Sequence, residues 1–371
     1  MRRSVGQFSC RSSAHFYTAA VTNPAGFAPA DDSVPKLRAS AFRVLCNGAL
    51  FLTVCIAGCA LLGWMAPFPE VPGIFPKWAW FKKHRDQFDV LFLGSSRFYH
   101  QIIPKQFDAA VTAAVGAPVH SFNFGYDGMW PPESYYLLRR ILALRPARLK
   151  WVVIDLMDIN TQLDERNNST MRMSYWHDTR HARLAFTDIL STRRLWPDKI
   201  NLLLAHGGLW FREAINLGRG AELLNARLAP RPARKKPYSW EDHAGYEAEP
   251  ERPMSPNIHA EFLAGVDLMK RRLAPEAMRP VFRDALREVI ADVRRAGAEP
   301  IFVIAPTINP RENFTEIPAG AAVWAFNNPL DHPVLYEPER HYDSWHLNQK
   351  GAVDFTALLA TRFVERTRAA R

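Results

Sequence analysis

Three residues of this chain have the types and spacing that nucleophilic catalysis requires. They are a serine that follows a short apolar run and an Asp-x-x-His pair in the last 30 residues. Ser96 follows a short apolar run in the segment FDVLFLGSSRFYHQI, residues 88–102. Asp343 and His346 stand in HYDSWHLNQKGA, at a spacing of three that puts them on one face of a helical turn. A serine hydroxyl is a weak nucleophile until a base removes its proton, and an imidazole held by a carboxylate is such a base. Ser96, His346 and Asp343 are therefore the candidate catalytic residues.

The element that must present Ser96 is the buried strand predicted by the apolar run 90–93, which stops at Gly94. Side chains beyond the carboxyl ends of parallel strands face a crevice between the flanking helices, where helix N-termini point N–H groups inward. Two alternatives remain open at this stage. Ser95 and Ser96 could merely cap the next helix, and an Asp-x-x-His pair can be a surface ion pair.

Strands and helices alternate over most of the chain, which predicts an α/β fold. This pattern favours a mostly parallel sheet with right-handed crossovers and helices on both faces, a three-layer α/β/α arrangement of the flavodoxin-like type. The predicted elements after the first strand are a helix at 104–115, strands at 119–125 and 151–156, a helix at 283–296, a strand at 300–306 and a helix at 352–366.

Residues 161–280 interrupt this alternation. They contain helical patterns such as RLAFTDILS and then six prolines between positions 230 and 256, around the basic run RPARKKP. Such a stretch predicts a largely helical, proline-rich insert, which either forms a lid above the sheet or packs at its side. The α/β domain is then divided into a first part at 86–160 and a second part at 281–371.

The N-terminal residues predict a tail followed by a membrane anchor. Residues 1–43 are rich in Ser, Ala, Arg and Pro without a sustained hydrophobic period, which predicts a disordered tail. Residues 44–69 contain no charged side chain and are long enough to cross a bilayer as a helix. In an alternative interpretation the segment ending at Cys59 resembles a bacterial lipoprotein cleavage site, with lipidation of that cysteine. Either interpretation tethers the domain to a membrane.

The distribution of aromatic and basic residues around the anchor indicates its orientation. Aromatic side chains after the span predict a belt at the membrane interface, formed by Trp64, Trp78, Trp80 and Phe81. Basic residues lie close to both ends of the span, but Arg2, Arg3 and Arg11 favour an N-terminus on the inside. We therefore expect a single-pass inner-membrane protein with an extracytoplasmic, periplasmic catalytic domain.

Composition excludes several classes of site. The net charge of +10 is partly due to the first 43 residues, which carry six Lys or Arg against two Asp, and no basic run interleaved with aromatics predicts a nucleic-acid groove. All four cysteines lie within the first 59 residues, so the rest of the chain has no disulfide, thiolate zinc site or cysteine nucleophile. The spacing of His177, His181 and His206 is not that of a zinc site, and we expect neither a metal nor a cofactor.

Three motifs resemble sequence blocks of one enzyme family. GSSR after the first strand, NFGYDG after the second and DSWHLN before the last helix are similar to the first, second and fifth blocks of the SGNH, or GDSL-like, hydrolases. The resemblance extends over residues 88–363 outside the insert. It implies that Ser96 is the nucleophile, with Ser95 in place of the more usual Asp, and that Asp343 and His346 complete the triad. It also implies that the backbone N–H groups of Ser96 and Gly128 form the oxyanion hole.

The third block departs from the family pattern. Where the family carries an oxyanion-hole asparagine, the segment IDLMDIN has Ile159, which cannot donate a hydrogen bond. Asn160 or Asn123 is then the candidate third donor. Arg97, which could also replace it, and Asp127 are candidate substrate-binding residues, although Asp127 could simply favour the turn. We interpret His100, four residues after the nucleophile, as a packing or surface histidine.

The resemblance implies a function as well as a site. Membrane-anchored relatives in this family act on acetyl groups of cell-surface polysaccharides, so we expect a membrane-tethered serine esterase or O-acyltransferase that acts on an acyl ester of an extracytoplasmic glycan. A membrane-bound acyltransferase is the partner expected on the same grounds. Two other functions remain open: an inactive glycan-binding or scaffold protein of the same fold, and a phospholipid or lysophospholipid esterase.

Overall fold

A five-stranded parallel sheet with the order β2-β1-β3-β4-β5 forms the centre of the protein in this computed structural model. Its strands are β1 (Val90–Leu93), β2 (Ser121–Asn123), β3 (Trp151–Asp155), β4 (Glu299–Ile304) and β5 (Ala322–Ala325). This is the order of flavodoxin-type doubly wound sheets, in which the connections leave in opposite directions from β1 and β3 and open a crevice between them. The structure describes residues 34–65, 67–163, 170–228, 243–249, 251–271, 277–314 and 317–369.

Helices cover the sheet and extend from it. The α-helices are α1 (Val34–Met65), α2 (Ile74–His84), α3 (Ser96–Tyr99), α4 (Pro104–Val115), α5 (Glu133–Leu142), α6 (Met171–Ser174), α7 (Thr179–Ser191), α8 (Trp196–Ala214), α9 (Arg219–Leu228), α10 (Pro256–Arg271), α11 (Pro280–Arg295) and α12 (Gln349–Ala369). Short 3-10 helices occur at Arg85–Gln87, Pro310–Glu312, Pro333–Tyr336 and Pro338–Arg340.

The core consists of two clusters, one on each face of the sheet. Leu91 and Leu93 pack with residues of α2, α5 and α11, whereas Val90 and Phe92 pack with residues of α4, α10 and α12. Successive side chains of a strand point to opposite faces, so a strand covered on both sides must be apolar at every position. The predicted α/β fold with a parallel sheet between helical layers is therefore confirmed.

The strands with continuous apolar runs were predicted to within two residues, but β5 was not predicted. Its four residues are partly exposed at the edge of the sheet. An edge strand of this length needs no buried apolar run, so its sequence gives no strand pattern.

Helix α1 is long and apolar enough to cross a membrane. Its residues Ser40–Met65 form a 26-residue apolar segment in which no side chain is fully buried and only Cys59, Leu62 and Gly63 are partly covered. The helix begins before the predicted start at residue 44 and ends before the predicted end at residue 69. Residues 1–33 of the predicted tail lie outside the described residues. The boundary between the two compact units of the chain falls inside α1, so Cys55–Met65 belongs to the unit that contains the sheet.

Helix α2 is part of the domain core, which therefore extends N-terminal to the predicted boundary at residue 86. Trp78 and Phe81 are 6% and 0% exposed and pack in the core cluster that also contains Leu91. This corrects the prediction that they belong to an aromatic belt at the membrane interface. Trp64, at the end of α1, is 79% exposed and remains a candidate for that belt.

The helical part of the insert packs beside the sheet, and a later part reaches its carboxyl edge. Helix α7 packs against α5 and α11, and α8 packs on α7. Residues 243–249 lie instead next to β2 and α3, where the N–H of Glu247 donates to the carbonyl of Tyr99 at 3.3 Å. Helix α10, inside the predicted insert, belongs to the core through Phe262. The basic run at 231–237 lies outside the described residues.

Truncation of Phe122 in β2 should strongly destabilise the domain. The side chain is fully buried, with its ring 5.2 Å from that of Trp80 and 5.3 Å from that of Phe81. Phe122→Ala leaves a cavity among these rings, and we expect a loss of about 3–5 kcal/mol of unfolding free energy in urea denaturation. Leu330→Ala, at a site that is 59% exposed, is the control and should cost less than about 0.5 kcal/mol. Equal effects of the two variants would contradict this description of the core.

Candidate active site

Ser96, His346 and Asp343 form a continuous hydrogen-bond chain at the carboxyl end of β1. The Ser96 Oγ lies 2.7 Å from Nε2 of His346, although 250 positions separate the two residues. Nδ1 of His346 lies 3.0 Å from each carboxylate oxygen of Asp343. Because a carboxylate only accepts hydrogen bonds, Nδ1 carries the proton and Nε2 is left to accept the proton of Ser96. The structure thus brings together the three residues singled out by their chemistry.

Asp343 is held in its ionised form by its surroundings. Its Oδ1 accepts the backbone N–H groups of Trp345 at 2.7 Å and of His346 at 2.8 Å, in addition to the imidazole. Partial burial acts to raise the pKa of Asp343, but these hydrogen bonds and the charge of His346 outweigh it and lower the pKa below 3.8. The carboxylate can therefore stabilise an imidazolium when His346 takes a proton.

The two neighbouring serines have different partners. The Ser95 Oγ accepts the backbone N–H of Arg97 at 3.3 Å, as the N-cap of α3, and donates to Asp155 at 2.8 Å. The Ser96 hydroxyl bonds to His346. The capping alternative left open by the sequence therefore applies to Ser95, and Ser96 is left with the partner that a nucleophile needs.

A buried ion network lies beneath this turn. Nη2 of Arg97 is 3.2 Å from Asp155, at the end of β3, and Nη1 is 2.5 Å from Glu312, after β4. The three side chains are no more than 6% exposed. Burial opposes the charge of Arg97, but the two carboxylates outweigh it and raise its pKa. Because its guanidinium group is engaged below the surface, the geometry does not favour the predicted role of Arg97 in substrate binding.

Asn123 shapes the second turn through three hydrogen bonds. Its side-chain nitrogen donates to the carbonyls of Phe98 at 2.7 Å and Ile102 at 2.9 Å, and its oxygen accepts the N–H of Gly125 at 2.8 Å. Both amide hydrogens are used, so the side chain has none left for an oxyanion. Asn123 thus joins the second turn to α3 instead of serving as the third donor.

Lys77 of α2 holds the same turn from the other side. Its Nζ donates to the carbonyl of Gly125 at 2.6 Å and lies 3.9 Å from the ring centre of Tyr99. Burial lowers the pKa of Lys77 well below its usual value, against the opposing charges of Glu247 and Asp127. Gly125 is required here because a Cβ would lie 2.5 Å from the backbone nitrogen of Tyr99. The turn is therefore clamped between α2 and α3.

The direction of the Gly128 N–H is set by Arg172 of α6. Nη2 of Arg172 donates to the carbonyl of Asp127 at 2.5 Å, and the guanidinium also binds the buried carboxylate of Glu133 at 3.1 and 3.2 Å. The carbonyl and N–H of a trans peptide point in opposite directions, so fixing the Asp127 carbonyl fixes the following N–H. Gly128 has φ of 60°, a conformation that favours glycine.

The N–H groups of Ser96 and Gly128 are available for a ligand. Within the part of the chain that the structure describes, neither donates a hydrogen bond to the protein. Two such donors at neighbouring turns are what an oxyanion hole requires.

The third sequence block supplies structural contacts. Ile159 is buried, and Asp158 forms a two-pronged ion pair with Arg279 at 2.7 and 3.1 Å. The exposed Asn160 uses its side-chain oxygen to accept the N–H of Gln162 at 2.9 Å. A third-donor role of Asn160 stays a prediction.

His100 lies beside the triad as a charged group. Its Nε2 is 2.9 Å from Asp127 and 3.5 Å from Glu249, and its Nδ1 is 2.8 Å from the carbonyl of Glu247. Both ring nitrogens face acceptors, so both must carry protons. Burial opposes this charge, but the hydrogen bond and charge of Asp127 outweigh it and raise the pKa of His100 above 6.5. The ring centre lies 6.4 Å from that of His346.

Asp127 remains accessible despite this contact. Its side chain is 59% exposed, and its pKa is lowered: burial opposes the shift, but the hydrogen bond and charge of His100 outweigh it. Its exposure next to the triad is compatible with the predicted role in substrate binding, and its bond to His100 also gives it a structural role.

The histidines of the insert form a pair without a metal-binding group. Nε2 of His177 lies 2.8 Å from Nδ1 of His206, and burial lowers the pKa values of these side chains to about 2 and about 4. His181 instead bonds to Asp178, at 2.7 Å. Among the described residues, no group of three or more His, Cys, Asp or Glu side chains is placed to hold a metal ion.

The residues that support the two turns are not predicted from the sequence. Asp155 could have been noticed, because it follows an apolar run at the carboxyl end of a strand, where site residues collect. Lys77, Glu312 and Arg172 give no local signal, since each reads as an ordinary surface charge and its partner is distant in the sequence.

In a comparison with known proteins, no family model matches the chain, and no curated protein matches it.

The charge on His100 should make its contribution to stability depend on pH. Its pKa is higher in the folded state than 6.5, so the stabilisation is complete below that pH and is lost as pH rises through the folded value. We expect His100→Gln to lower the unfolding free energy more at about pH 5 than at about pH 9, measured by urea denaturation. The control is His259→Gln, at an exposed position of α10. An equal loss at both pH values would show that His100 contributes by packing alone.

Proposed function

We propose that this protein is a membrane-anchored serine esterase or O-acyltransferase that acts on acyl esters of an extracytoplasmic glycan. The observation that carries the proposal is the hydrogen-bond chain from Ser96 through His346 to Asp343. A serine whose hydroxyl is 2.7 Å from an imidazole that a carboxylate orients is the arrangement of an activated nucleophile.

In the first step Ser96 takes the acyl group. His346 Nε2 accepts the proton of the hydroxyl while Oγ bonds to the ester carbonyl carbon, which gives a tetrahedral oxyanion. His346 then passes that proton to the leaving alkoxide, the ester C–O bond breaks, and an acyl-serine remains. Asp343 stabilises the imidazolium while the proton is held.

The developing oxyanion is met by the N–H groups of Ser96 and Gly128. Arg172 holds the carbonyl of Asp127, and this fixed peptide needs little reorganisation when charge develops. One such donor can lower the barrier by about 3 kcal/mol.

In the second step a hydroxyl attacks the carbonyl carbon of the acyl-serine, and His346 again accepts the proton of the attacking group. The bond between the acyl carbon and Oγ then breaks, and His346 returns the proton to the Ser96 Oγ. Water as acceptor gives hydrolysis and regenerates the acid, whereas a sugar hydroxyl gives a new ester. Both outcomes use the same residues, because the acyl-serine is the same in each case.

Two further observations support the proposed substrate class and the proposed location of the protein. Helix α1 is long and apolar enough to anchor the protein as a single-pass membrane protein. The placement in the inner membrane with a periplasmic domain is proposed from Arg2, Arg3 and Arg11, which favour an N-terminus on the inside. The resemblance of the GSSR, NFGYDG and DSWHLN segments to SGNH hydrolases favours acetyl esters of cell-surface polysaccharides, and a membrane-bound acyltransferase as partner.

Replacement of Ser96 should abolish the chemistry and leave the fold. We expect Ser96→Ala, in the detergent-solubilised full chain, to lower kcat/KM for 4-nitrophenyl acetate by at least about 10³-fold. A fluorophosphonate probe should label the wild type at Ser96, and His346→Ala should prevent labelling because the hydroxyl then has no base.

The neighbouring hydroxyl provides the matched control. Ser95→Ala should still be labelled at Ser96, since Ser95 bonds to Asp155 and not to His346. Equal rates of wild type and Ser96→Ala would remove the enzyme proposal in favour of a binding or scaffold protein. Preference for long acyl chains, with activation by vesicles, would indicate a phospholipid esterase.

Arg172 should affect turnover more than substrate binding. It orients the Gly128 N–H, whose bond to the oxyanion strengthens in the transition state, so Arg172→Gln should lower kcat by about 10-fold or more with little change in KM. Arg180→Gln is the control, because Arg180 binds Glu288 on α11 instead of either turn. A change in KM alone, or the same effect in both variants, would assign Arg172 a general structural role.

A further inference from the structure

Helix α8 presents an apolar stripe to solvent along its whole length. Its large side chains recur at helical spacing on one face, and they are Trp196 (66% exposed), Ile200 (50%), Leu204 (70%) and Phe211 (56%). No charged side chain interrupts this face between residues 196 and 214. An uninterrupted apolar stripe of this kind indicates a surface that is covered when the protein works.

The end of this helix lies against the last turns of α1. The side chain of Asn216, just after α8, is so close to Gly63 that a Cβ at that glycine would lie 2.6 Å from it. Leu62 of α1 packs in the same way on Gly220 of α9, with 3.2 Å between its Cδ1 and the position of a Cβ. Cys59, Leu62 and Gly63 are less exposed than their neighbours, so one face of the end of α1 packs here.

The length of α1 places this contact at the level of the lipid headgroups. The 26-residue span extends over about 39 Å, whereas the hydrocarbon core of a bilayer is about 30 Å thick. Leu62 and Gly63 are among the last four residues of the span, and the contact therefore falls at its end. The stripe of α8 ends at Phe211, five residues before Asn216, so its C-terminal end lies near this contact.

We infer that the α8 stripe lies on the surface of the same bilayer that α1 crosses, with its apolar side chains at the boundary between headgroups and acyl chains. The inference rests on the membrane anchoring in the proposed function and is independent of the esterase chemistry. The composition fits an interfacial helix, in which Trp, Phe and Leu face the lipid. The exposed Arg193 lies three residues before the helix. A cation at this place matches the anionic surface of a bilayer.

The experiment measures the depth of single sites in the full chain. The four native cysteines are replaced by alanine, one new cysteine is introduced and labelled with an NBD fluorophore, and the protein is placed in nanodiscs of phosphatidylcholine and phosphatidylglycerol. Doxyl-labelled phosphatidylcholine then quenches fluorophores that contact lipid. The labelled variants are Leu204→Cys in the stripe, Asp198→Cys at an exposed position on another face of α8, and Leu52→Cys in α1.

We expect the label at position 204 to be quenched about threefold more than the label at 198, and the label at 52 to be quenched strongly. Quenching at 52 together with equal, weak quenching at 204 and 198 would overturn the inference and leave the anchor in place. Weak quenching at all three positions would overturn the anchor and the inference together. Self-quenching between labelled copies at 204, without quenching by lipid, would assign the stripe to a second copy of the chain and also overturn it.

Hydrolysis of 4-nitrophenyl acetate by the three labelled proteins is measured separately. All three positions lie outside the candidate active site, so lipid contact at 204 with no hydrolysis would remove the esterase proposal alone. Hydrolysis without lipid contact at position 204 would overturn only the inference that the α8 stripe lies on the bilayer surface.

Discussion

The position of the turn that carries Ser96 depends on charges buried beneath it. Two carboxylates, Asp155 and Glu312, share one guanidinium, that of Arg97, and none of the three side chains is more than 6% exposed. Burial raises the pKa of Asp155 even though Arg97 and Ser95 oppose the shift, which shows how costly this charge is. Apolar replacements of such networks are often neutral or stabilising, so stability alone does not account for the network. The network instead orients the turn after β1, because it ties this turn to β3 and to the segment after β4.

The second turn is positioned on the same physical basis, by groups that hold carbonyl oxygens. Lys77 binds the carbonyl of Gly125 and Arg172 binds that of Asp127. In a planar peptide each fixed carbonyl sets the direction of the next N–H. Two basic side chains from separate elements, α2 and α6, therefore direct the backbone of this turn, while its N–H at Gly128 stays available. The sheet presents Ser96, and the elements around the sheet fix the geometry of the neighbouring turn.

The sequence predicts those features of the fold and the site whose residues lie close together in the chain. β1, β3 and β4 are buried on both faces, so their apolar runs are continuous and visible. The Asp343 and His346 pair is three positions apart, and its bond is local too. Arg97, by contrast, reads as a surface residue because its partners are 58 and 215 positions away.

The local sequence is also insufficient to place the segment after the anchor. Trp78 and Phe81 follow an apolar span closely and were assigned to the membrane interface for that reason. In the structure α2 covers one face of the sheet with these side chains. Proximity in sequence to a span does not distinguish an interfacial aromatic from a core aromatic, because both positions favour the same residues. Only the partners in the folded domain decide between them.

The segment between α1 and α2 packs into the domain core. Phe68 and Val71 are buried in the domain core, and the ring of Phe68 stacks on that of Trp78 at 4.4 Å. The connection is therefore packed, whereas a flexible linker would let the domain move over a range that grows with linker length. Three residues into α2, Lys77 holds the carbonyl of Gly125 in the candidate active site. The described residues from Phe68 to Lys77 thus pack in one unit with the candidate active site.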